Sequence, residues 1–546
     1  MATFPVSDGA RADLIYRSIP RMALVNAQRF SREPAILEGG GAFTFDEVAE
    51  GMLAVGQALV ANGVAPGDRI AVWAPNSADW VTTALGILAT GARLVPINTR
   101  FKGSEAAYVL RKTGSRKLFC ANGFLGFDYL AMLRDADPSL PALSDTVLFG
   151  DAPLRDDAAV RSFDRFLADG TGADRAELRS RIESIGPDDP SDIIFTSGTT
   201  GNPKGVMLRH GASLRCYEAF NRSVDLKAGD RVLIVTPFFH CFGYKAGWMA
   251  ALMAGATFVP LSVFDAGTAL QMIEELGITH TGGAPTLFWA MLDHPSRAGR
   301  DLSSFRVATA SAAYVPPELI DRMSRELGVR PTTGYGLTEA HALVSVSEPG
   351  DPPEYAAAWS GKVIEGTEVR VVDDAGEDVP FGQQGELLVR GFQLMDGYYD
   401  DPDATATVID VDGWLHTGDV AYLNADGYVK ICDRKKDMFI VGGFNVAPAE
   451  VEGLLLEWDL IAGCAVVGVP DRKWGEVGVA FVVPSARGLT PDDVVAWAKD
   501  HMANYKVPRR VVIVDTMPLN ATGKVLKSEL RAALASQEAV ARQPGS

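Results

Sequence analysis

A short apolar run, Asp192-Ile-Ile-Phe195, empties into Thr196-Ser-Gly-Thr-Thr-Gly-Asn-Pro-Lys-Gly205, where nearly every residue is a small donor, a glycine or a cation. That composition suits phosphate. Gly198 and Gly201 let the backbone converge its N–H groups on an anion, the hydroxyls of Thr196, Ser197, Thr199 and Thr200 add donors, and Lys204 adds charge. Surface turns draw on the same residue types, but seldom this densely. A P-loop is excluded, because its G-x-x-x-x-G-K-[ST] pattern would put glycine where Pro203 stands and Ser or Thr where Gly205 stands. Val206-Met-Leu-Arg-His210 reads as a strand, so the loop is expected to join two strands and not a strand to a helix.

At 546 residues the chain is too long for one core and implies several structural units. Its N-terminal third alternates a helix over 53–62, a strand over 69–74, a helix over 78–89, a strand from Leu94, a helix over 105–112 and a strand over 117–121. Gly63 and Gly91 stop the first two helices, and Gly39-Gly-Gly41 marks a hairpin turn. Such alternation with short connections means α/β layers built on parallel sheets. The uncharged run 246–264 matches a bilayer in length, but Gly247, Gly255 and Pro260 interrupt it, so a helix followed by a buried parallel strand is expected instead of a transmembrane segment. The stretch 144–189 carries no chemistry.

A formal charge of −18 argues against nucleic acid or an anionic membrane as partner, while leaving room for a local cationic pocket. Five scattered cysteines show no metal or C-x-x-C spacing and read as reduced residues, and with no evident signal peptide or peroxisomal address they suggest a cytoplasmic protein.

Downstream of the loop, chemistry-bearing residues recur in clusters. Thr236-Pro-Phe-Phe-His-Cys-Phe-Gly-Tyr244 surrounds one histidine with aromatics; packing is the ordinary fate of such a histidine. In Gly334-Tyr-Gly-Leu-Thr-Glu-Ala340, Tyr335 offers a flat face to a purine and Glu339 a hard oxygen to Mg²⁺, although a strand-end turn with a helix cap reads the same way. Asp419, in Gly413-Trp-Leu-His-Thr-Gly-Asp-Val420, has paired oxygens able to accept both hydroxyls of a sugar. Charges then concentrate in Asp433-Arg-Lys-Lys-Asp437 between two apolar strands, which suits a linker between domains. Beyond it a helix over 449–456 and strands over 463–469 and 477–483 make a small α+β unit. It ends at Met517-Pro-Leu-Asn-Ala-Thr-Gly-Lys524, a glycine-supported loop before a helix.

Taken as they stand, these motifs resemble those of the adenylate-forming superfamily of acyl-CoA synthetases, peptide-synthetase adenylation domains and beetle luciferases. The resemblance covers essentially the whole chain, in family order. It implies a large N-terminal α/β domain over residues 1–434, a hinge at 435–436 and a small mobile C-terminal α+β domain over 437–546. ATP would be held by Thr196, Ser197, Gly198, Thr199, Thr200, Gly201 and Lys204, with Tyr335 stacking on adenine, Thr338 near the α-phosphate, Glu339 on Mg²⁺, and Asp419 with Arg434 on the ribose. Lys524, Thr196 and Glu339 would be the catalytic set. His240, Phe242, Gly243 and Ala284 would line the acyl pocket, Lys436 would be the pivot, and Gly442 and Gly443 would later line the coenzyme A tunnel.

The implied reaction joins a small-molecule carboxylic acid to coenzyme A through an acyl-adenylate, at the expense of ATP. Delivery of the acyl group to a separate carrier protein is the alternative, and a homo-oligomer stays open. Two departures, Thr309-Ala-Ser-Ala-Ala-Tyr314 and Gly334, bear on the fit around nucleotide and carboxylate. Within the superfamily, Pro237-Phe-Phe-His-Cys-Phe-Gly-Tyr-Lys-Ala-Gly247, Leu292-Asp-His-Pro-Ser-Arg297 and Asp301-Leu-Ser-Ser-Phe-Arg306 are similar to bacterial synthetases acting on the bicyclic propanoate left from a partly degraded steroid nucleus. Fatty and aromatic acids remain open as substrates.

Overall fold

The computed structural model describes residues 2–3, 11–140, 143–150, 159–172, 175–196, 203–441, 444–471, 474–520 and 523–541. The expected α/β rhythm is present. Strands Arg69–Trp73, Arg93–Pro96, Lys117–Cys120 and Asp145–Leu148 pair in parallel within one large sheet. The helix expected over 53–62 runs instead over Phe45–Ala61, because its start lies further upstream. There the Thr44 hydroxyl accepts from the Glu47 N–H and Glu47 accepts from the Thr44 N–H, a reciprocal cap that satisfies two otherwise orphaned donors. Helix Ala78–Ala89 opens on Ser77 and stops before Gly91, whose φ of 79° few other residues adopt at no cost. Gly39 and Gly40, both at positive φ, turn the hairpin between Pro34–Glu38 and Gly41–Thr44.

A second sheet carries five parallel strands, Arg231–Ile234, Thr257–Pro260, His280–Gly283, Val307–Ala310 and Arg330–Tyr335. A third, antiparallel, contains Thr367–Val372, Gln384–Gly391, Leu415–Leu423 and Val429–Arg434. The C-terminal unit is a separate small sheet built on Ile461–Asp471 and Gly475–Pro484, covered by helices Pro448–Leu456, Pro491–His501 and Lys527–Ala541. The architecture is therefore α/β with a large N-terminal and a small C-terminal domain.

Strands Pro190–Thr196 and Lys204–Arg209 are antiparallel, with Thr196 opposite Lys204. The glycine- and hydroxyl-rich loop thus joins two strands, as the strand character of Val206-Met-Leu-Arg-His210 implied. Run 246–264 is a helix leading to the buried parallel strand Thr257–Pro260, but the helix starts at Phe242 and its first part, Phe242–Met249, is a π-helix kinked at Gly247. No helix among the described residues is long and apolar enough to cross a membrane.

Strand Pro190–Thr196 carries one half of an ion pair with no solvent exposure. The Lys245 ammonium of the π-helix sits 2.6 Å from Asp192 Oδ2 and donates to Ser213 Oγ at 2.8 Å, while Ser191 Oγ donates to the same Asp192 oxygen at 2.6 Å. Lys245 also bears on two buried histidines. His210 Nδ1 accepts from the Ile19 N–H, and His341 Nε2 accepts from the Arg209 N–H, so Nδ1 of His341 carries the proton it donates to the Gln393 carbonyl. Burial first, and Lys245 second, push both imidazoles down to about 3.

These two histidines make stability depend on pH. An unfolded imidazole takes up its proton near pH 6.5, whereas these resist it in the fold, so their contribution is complete above that value and is lost as pH falls toward 3. Between pH 7 and pH 5 each should cost about 2 kcal/mol of unfolding free energy. Denaturant titrations at both pH values measure this, and His341→Gln should flatten the slope; an unchanged slope would show that His341 is not its source.

Candidate active site

Strand ends bring the site together. Lys204 closes the phosphate loop and lays its ammonium 4.8 Å from the centre of the Tyr398 ring, whose hydroxyl donates to Glu339 Oε1 at 2.9 Å. Glu339 sits in the short turn Thr338–Ala340 just beyond Arg330–Tyr335. One tyrosine therefore separates the loop cation from the candidate metal carboxylate. Thr196 faces Lys204 across the strand pair, and Thr338 is buried beside Glu339. Ser197, Gly198, Thr199, Thr200 and Gly201 lie outside the described residues.

The two residues expected at the ribose form an ion pair laid across two strands. Asp419 and Arg434 face each other in the register of Leu415–Leu423 with Val429–Arg434, and Arg434 Nε lies 2.7 Å from Asp419 Oδ1. The Tyr335 hydroxyl donates to the other oxygen of Asp419 at 2.5 Å. Burial drives the Asp419 carboxyl above its ordinary value, against the opposing pull of Arg434 and then of Tyr335. Burial and Asp419 raise the Tyr335 phenol in turn, so its proton stays in place for that hydrogen bond. Burial works against the charge of Arg434, but Asp419, Tyr335 and Glu339 outweigh it.

From the small domain, Lys524 reaches this cluster. Asn520 holds its loop by accepting the Lys524 N–H on Oδ1 at 2.9 Å and donating its own N–H to the Lys524 carbonyl. Gly523, at φ 82°, lies so close to the start of helix Pro285–Asp293 that a Cβ there would stand 2.9 Å from Thr286 Oγ1. Burial first, and Arg434 second, lower the pKa of Lys524, with Asp419 acting the other way. The two domains also meet where Gly453 of helix Pro448–Leu456 packs on the Tyr314 ring, and where the Ala449 N–H donates to Asp433 Oδ2. Between the domains, the Lys435 N–H donates to Gly418 of the large domain, and Asp437 pairs with Arg531 of the last helix at 2.8 Å. Lys436 lies between these two anchors. Gly442 and Gly443 lie outside the described residues.

Between the π-helix and the second sheet is a small cavity of about 30 Å³, mostly apolar, lined among others by Phe242, Ala246, Gly247, Gly282 and Thr309. The Phe242 ring rests on Gly282, where a Cβ would stand 3.0 Å from the ring. Of the expected acyl-pocket residues, Phe242 lines this cavity, whereas His240, Gly243 and Ala284 are not among its lining residues. Gly243 serves the backbone instead: a Cβ there would stand 2.2 Å from the Pro237 carbonyl oxygen. His240 Nδ1 accepts from the Phe242 N–H, and burial lowers the ring's pKa to about 4, which keeps it neutral.

Sequence reasoning missed Tyr398, the Lys245–Asp192 pair and the link between the two departures. Ser311 Oγ donates to the Gly334 carbonyl at 2.7 Å, so the hydroxyl in one departure braces the backbone of the other. Nothing in their spacing along the chain announced these contacts.

A family model described as AMP-binding enzyme matches residues 24–399, and one described as AMP-binding enzyme C-terminal domain matches 450–524. The chain is 46% identical, over 92% of its length and 96% of the relative's, to a 3-[(3aS,4S,7aS)-7a-methyl-1,5-dioxo-octahydro-1H-inden-4-yl]propanoyl:CoA ligase of Rhodococcus jostii. It is 43% identical, over 94% of its length and 98% of the relative's, to a Mycobacterium tuberculosis ligase of the same name. Among solved structures, the anthranilate CoA ligase AuaEII in complex with anthranoyl-AMP superposes with a TM-score of 0.87 at 28% identity, covering 96% of this chain and 98% of that one.

Arg434→Met should expose the dependence of Asp419 on its cation. Without Arg434 the Asp419 carboxyl rises further, and a protonated carboxyl no longer accepts from two hydroxyls. Calorimetric binding of AMP should weaken about tenfold or more, since hydrogen bonds to charged groups are worth about 1.5–3 kcal/mol. It should weaken further as pH falls from 7 to 5, and by more than the parent does over the same range; a variant with the parent's pH dependence would place the nucleotide away from Asp419.

Proposed function

The chain belongs to the AMP-binding enzyme family, and we propose that it is an ATP-dependent carboxylate–CoA ligase acting on a compact, ring-bearing propanoate of the kind named for its relatives. The observation that carries this reading is the convergence of Lys524, from the small domain, on the Asp419–Arg434 pair of the large one. A cation brought by a separate domain to a nucleoside site fits a reaction in which charge builds on a phosphate and then has to be released.

In the first half-reaction a carboxylate oxygen attacks the α-phosphorus of ATP and the bond to pyrophosphate breaks. Lys204 and Lys524 neutralise charge around phosphorus, the loop hydroxyls and N–H groups orient the phosphates, and Asp419 with Arg434 holds the ribose. In the second, the thiol sulfur of coenzyme A attacks the acyl carbon of the adenylate, the thiol proton leaves, and AMP departs. Neither half needs a protein nucleophile.

Magnesium fits Glu339. One carboxylate oxygen is bonded to Tyr398, the other has no partner among the described residues, and no cluster of three or more His, Cys, Asp or Glu among them forms an all-protein cage. A single carboxylate completed by substrate phosphates and water suits this cation. It would supply charge neutralisation at the departing pyrophosphate.

The cavity behind Phe242 supports an apolar acid. Thr309 and Thr281 line it, but their hydroxyls are engaged with Thr332 and with the Leu233 carbonyl, so the cavity presents mainly carbon to whatever part of the acid reaches it. We assign residues 1–434 to the large domain, 435–436 to the hinge and 437–546 to the small domain, with Lys436 the pivot that later carries Gly442 and Gly443 toward coenzyme A.

Carboxylate-dependent ATP consumption with and without coenzyme A, across bicyclic, aromatic and fatty acids, tests the reading; AMP and thioester should form together, with the bicyclic propanoate the best acid. Lys524→Ala should lower adenylate formation by on the order of 10²-fold or more while sparing thioester formation from supplied acyl-adenylate. Because Lys524 acts as a cation with a lowered pKa, adenylation in the parent should fall as pH rises, at a pH below the ordinary lysine value of about 10.4. Lys524→Arg should move that limb upward; an unmoved limb would assign it to another group.

The hinge assignment has its own test. Proline fixes φ near one value, so Lys436→Pro should leave pyrophosphate exchange active and slow thioester formation on the same preparation. Thioester formation at the parent rate would move the pivot elsewhere.

A further inference from the structure

We propose that Leu226 is a specificity-determining plug that closes the rear of the acyl cavity and restricts the protein to compact acids. The proposal rests on the reading of that cavity as the acyl site. Next to the cavity lies a second space of about 200 Å³, bounded by Glu218, Asn221, Met253 and Ile15, the last of which is 46% exposed. Leu226 lines both spaces. On the same helix the neighbours Phe220 and Asn221 face opposite ways, the first toward the acyl cavity and the second toward the rear one.

Local backbone geometry sets the plug in place. Helix His210–Ser223 ends with Asp225 at φ 52°, the Asp225 N–H donating to the Arg222 carbonyl and the Leu226 N–H to the Asn221 carbonyl at 2.9 Å. This is the pairing of a Schellman cap, in which the residue after the left-handed position turns its apolar side chain back onto the helix. Leu226 therefore stands in the gap on a fixed turn, 9% exposed, whether or not a substrate is present. Beyond it the rear space runs out to the surface beside Ile15. An acid whose tail ends before Leu226 is accommodated, and one that must pass through it is not. Shortening this side chain joins the two spaces into one channel.

The test compares the parent with Leu226→Ala and Leu226→Phe across straight-chain acids from butanoate to hexadecanoate. Acid binding is followed by tryptophan fluorescence and thioester formation by kcat/KM. Leu226→Ala should raise both affinity and kcat/KM for the longest acids by on the order of tenfold or more, with the KM for ATP unchanged. Leu226→Phe, which keeps the site filled, should shift the preference toward shorter acids and serves as the deciding variant should the alanine variant fail to fold. The same chain-length profile in folded variants and parent would overturn the plug. A shifted binding profile without thioester formation would uphold the plug and remove the ligase reading.

Discussion

The fully buried pair of Lys245 and Asp192 is the constraint on which the site depends. Asp192 lies in strand Pro190–Thr196, Lys245 belongs to the π-helix whose first residue, Phe242, lines the apolar cavity, and Ser213 adds the helix His210–Ser223. One ammonium thereby ties strand Pro190–Thr196 to the π-helix. Removing one partner from such a pair costs about 3–5 kcal/mol, because the remaining charge stays buried and unpaired. Strand and helix are bound to shift together or not at all. The kinked π-helix, which leaves the regular hydrogen-bond ladder at Gly247, is the local expense of aiming Lys245 inward while Phe242 faces the cavity.

Outward from that pair, the site is a sequence of charges kept apart by aromatic rings and glycines. Tyr398 stands between Lys204 and Glu339, giving its face to one and its hydroxyl to the other. Asp419 is held differently, with one oxygen paired directly to Arg434 and the other accepting from the Tyr335 hydroxyl. Without Tyr398, Lys204 and Glu339 would be free to close on each other as an ordinary salt bridge, leaving neither for phosphate or metal. The small domain completes the arrangement with contacts easily undone: glycines at 453 and 523 against Tyr314 and Thr286, and a single N–H from Ala449 to Asp433.

Much of this was legible in the residues alone. Alternating periodicity specified α/β layers, since strand and helix repeats cannot be exchanged without exposing the core. The strand character of Val206-Met-Leu-Arg-His210 specified two strands around the loop, and Tyr335, Glu339, Asp419, Arg434 and Lys524, expected together, do lie in one neighbourhood of the fold. Local chemistry was sufficient there, because a loop of glycines and hydroxyls or a carboxylate before a strand end is built from neighbours in sequence. The helix start at Phe45 was missed although its cap, Thr44 with Glu47, stands in the sequence; the apolar spacing further along drew the boundary too late.

Tertiary structure alone decided the rest. Asp192 meets Lys245 across 53 positions and Tyr398 meets Glu339 across 59, so no window of sequence contains either pair. Ser311 and Gly334, which read as two separate departures, are one hydrogen bond, and the histidine that marks the aromatic run stays outside the cavity lining while Phe242, two residues on, forms part of it. A motif records which groups a reaction needs. Which of them touch, and how large a space lies behind them, depends on strand order and on where a helix is forced off its regular pitch, and those are properties of packing between distant segments.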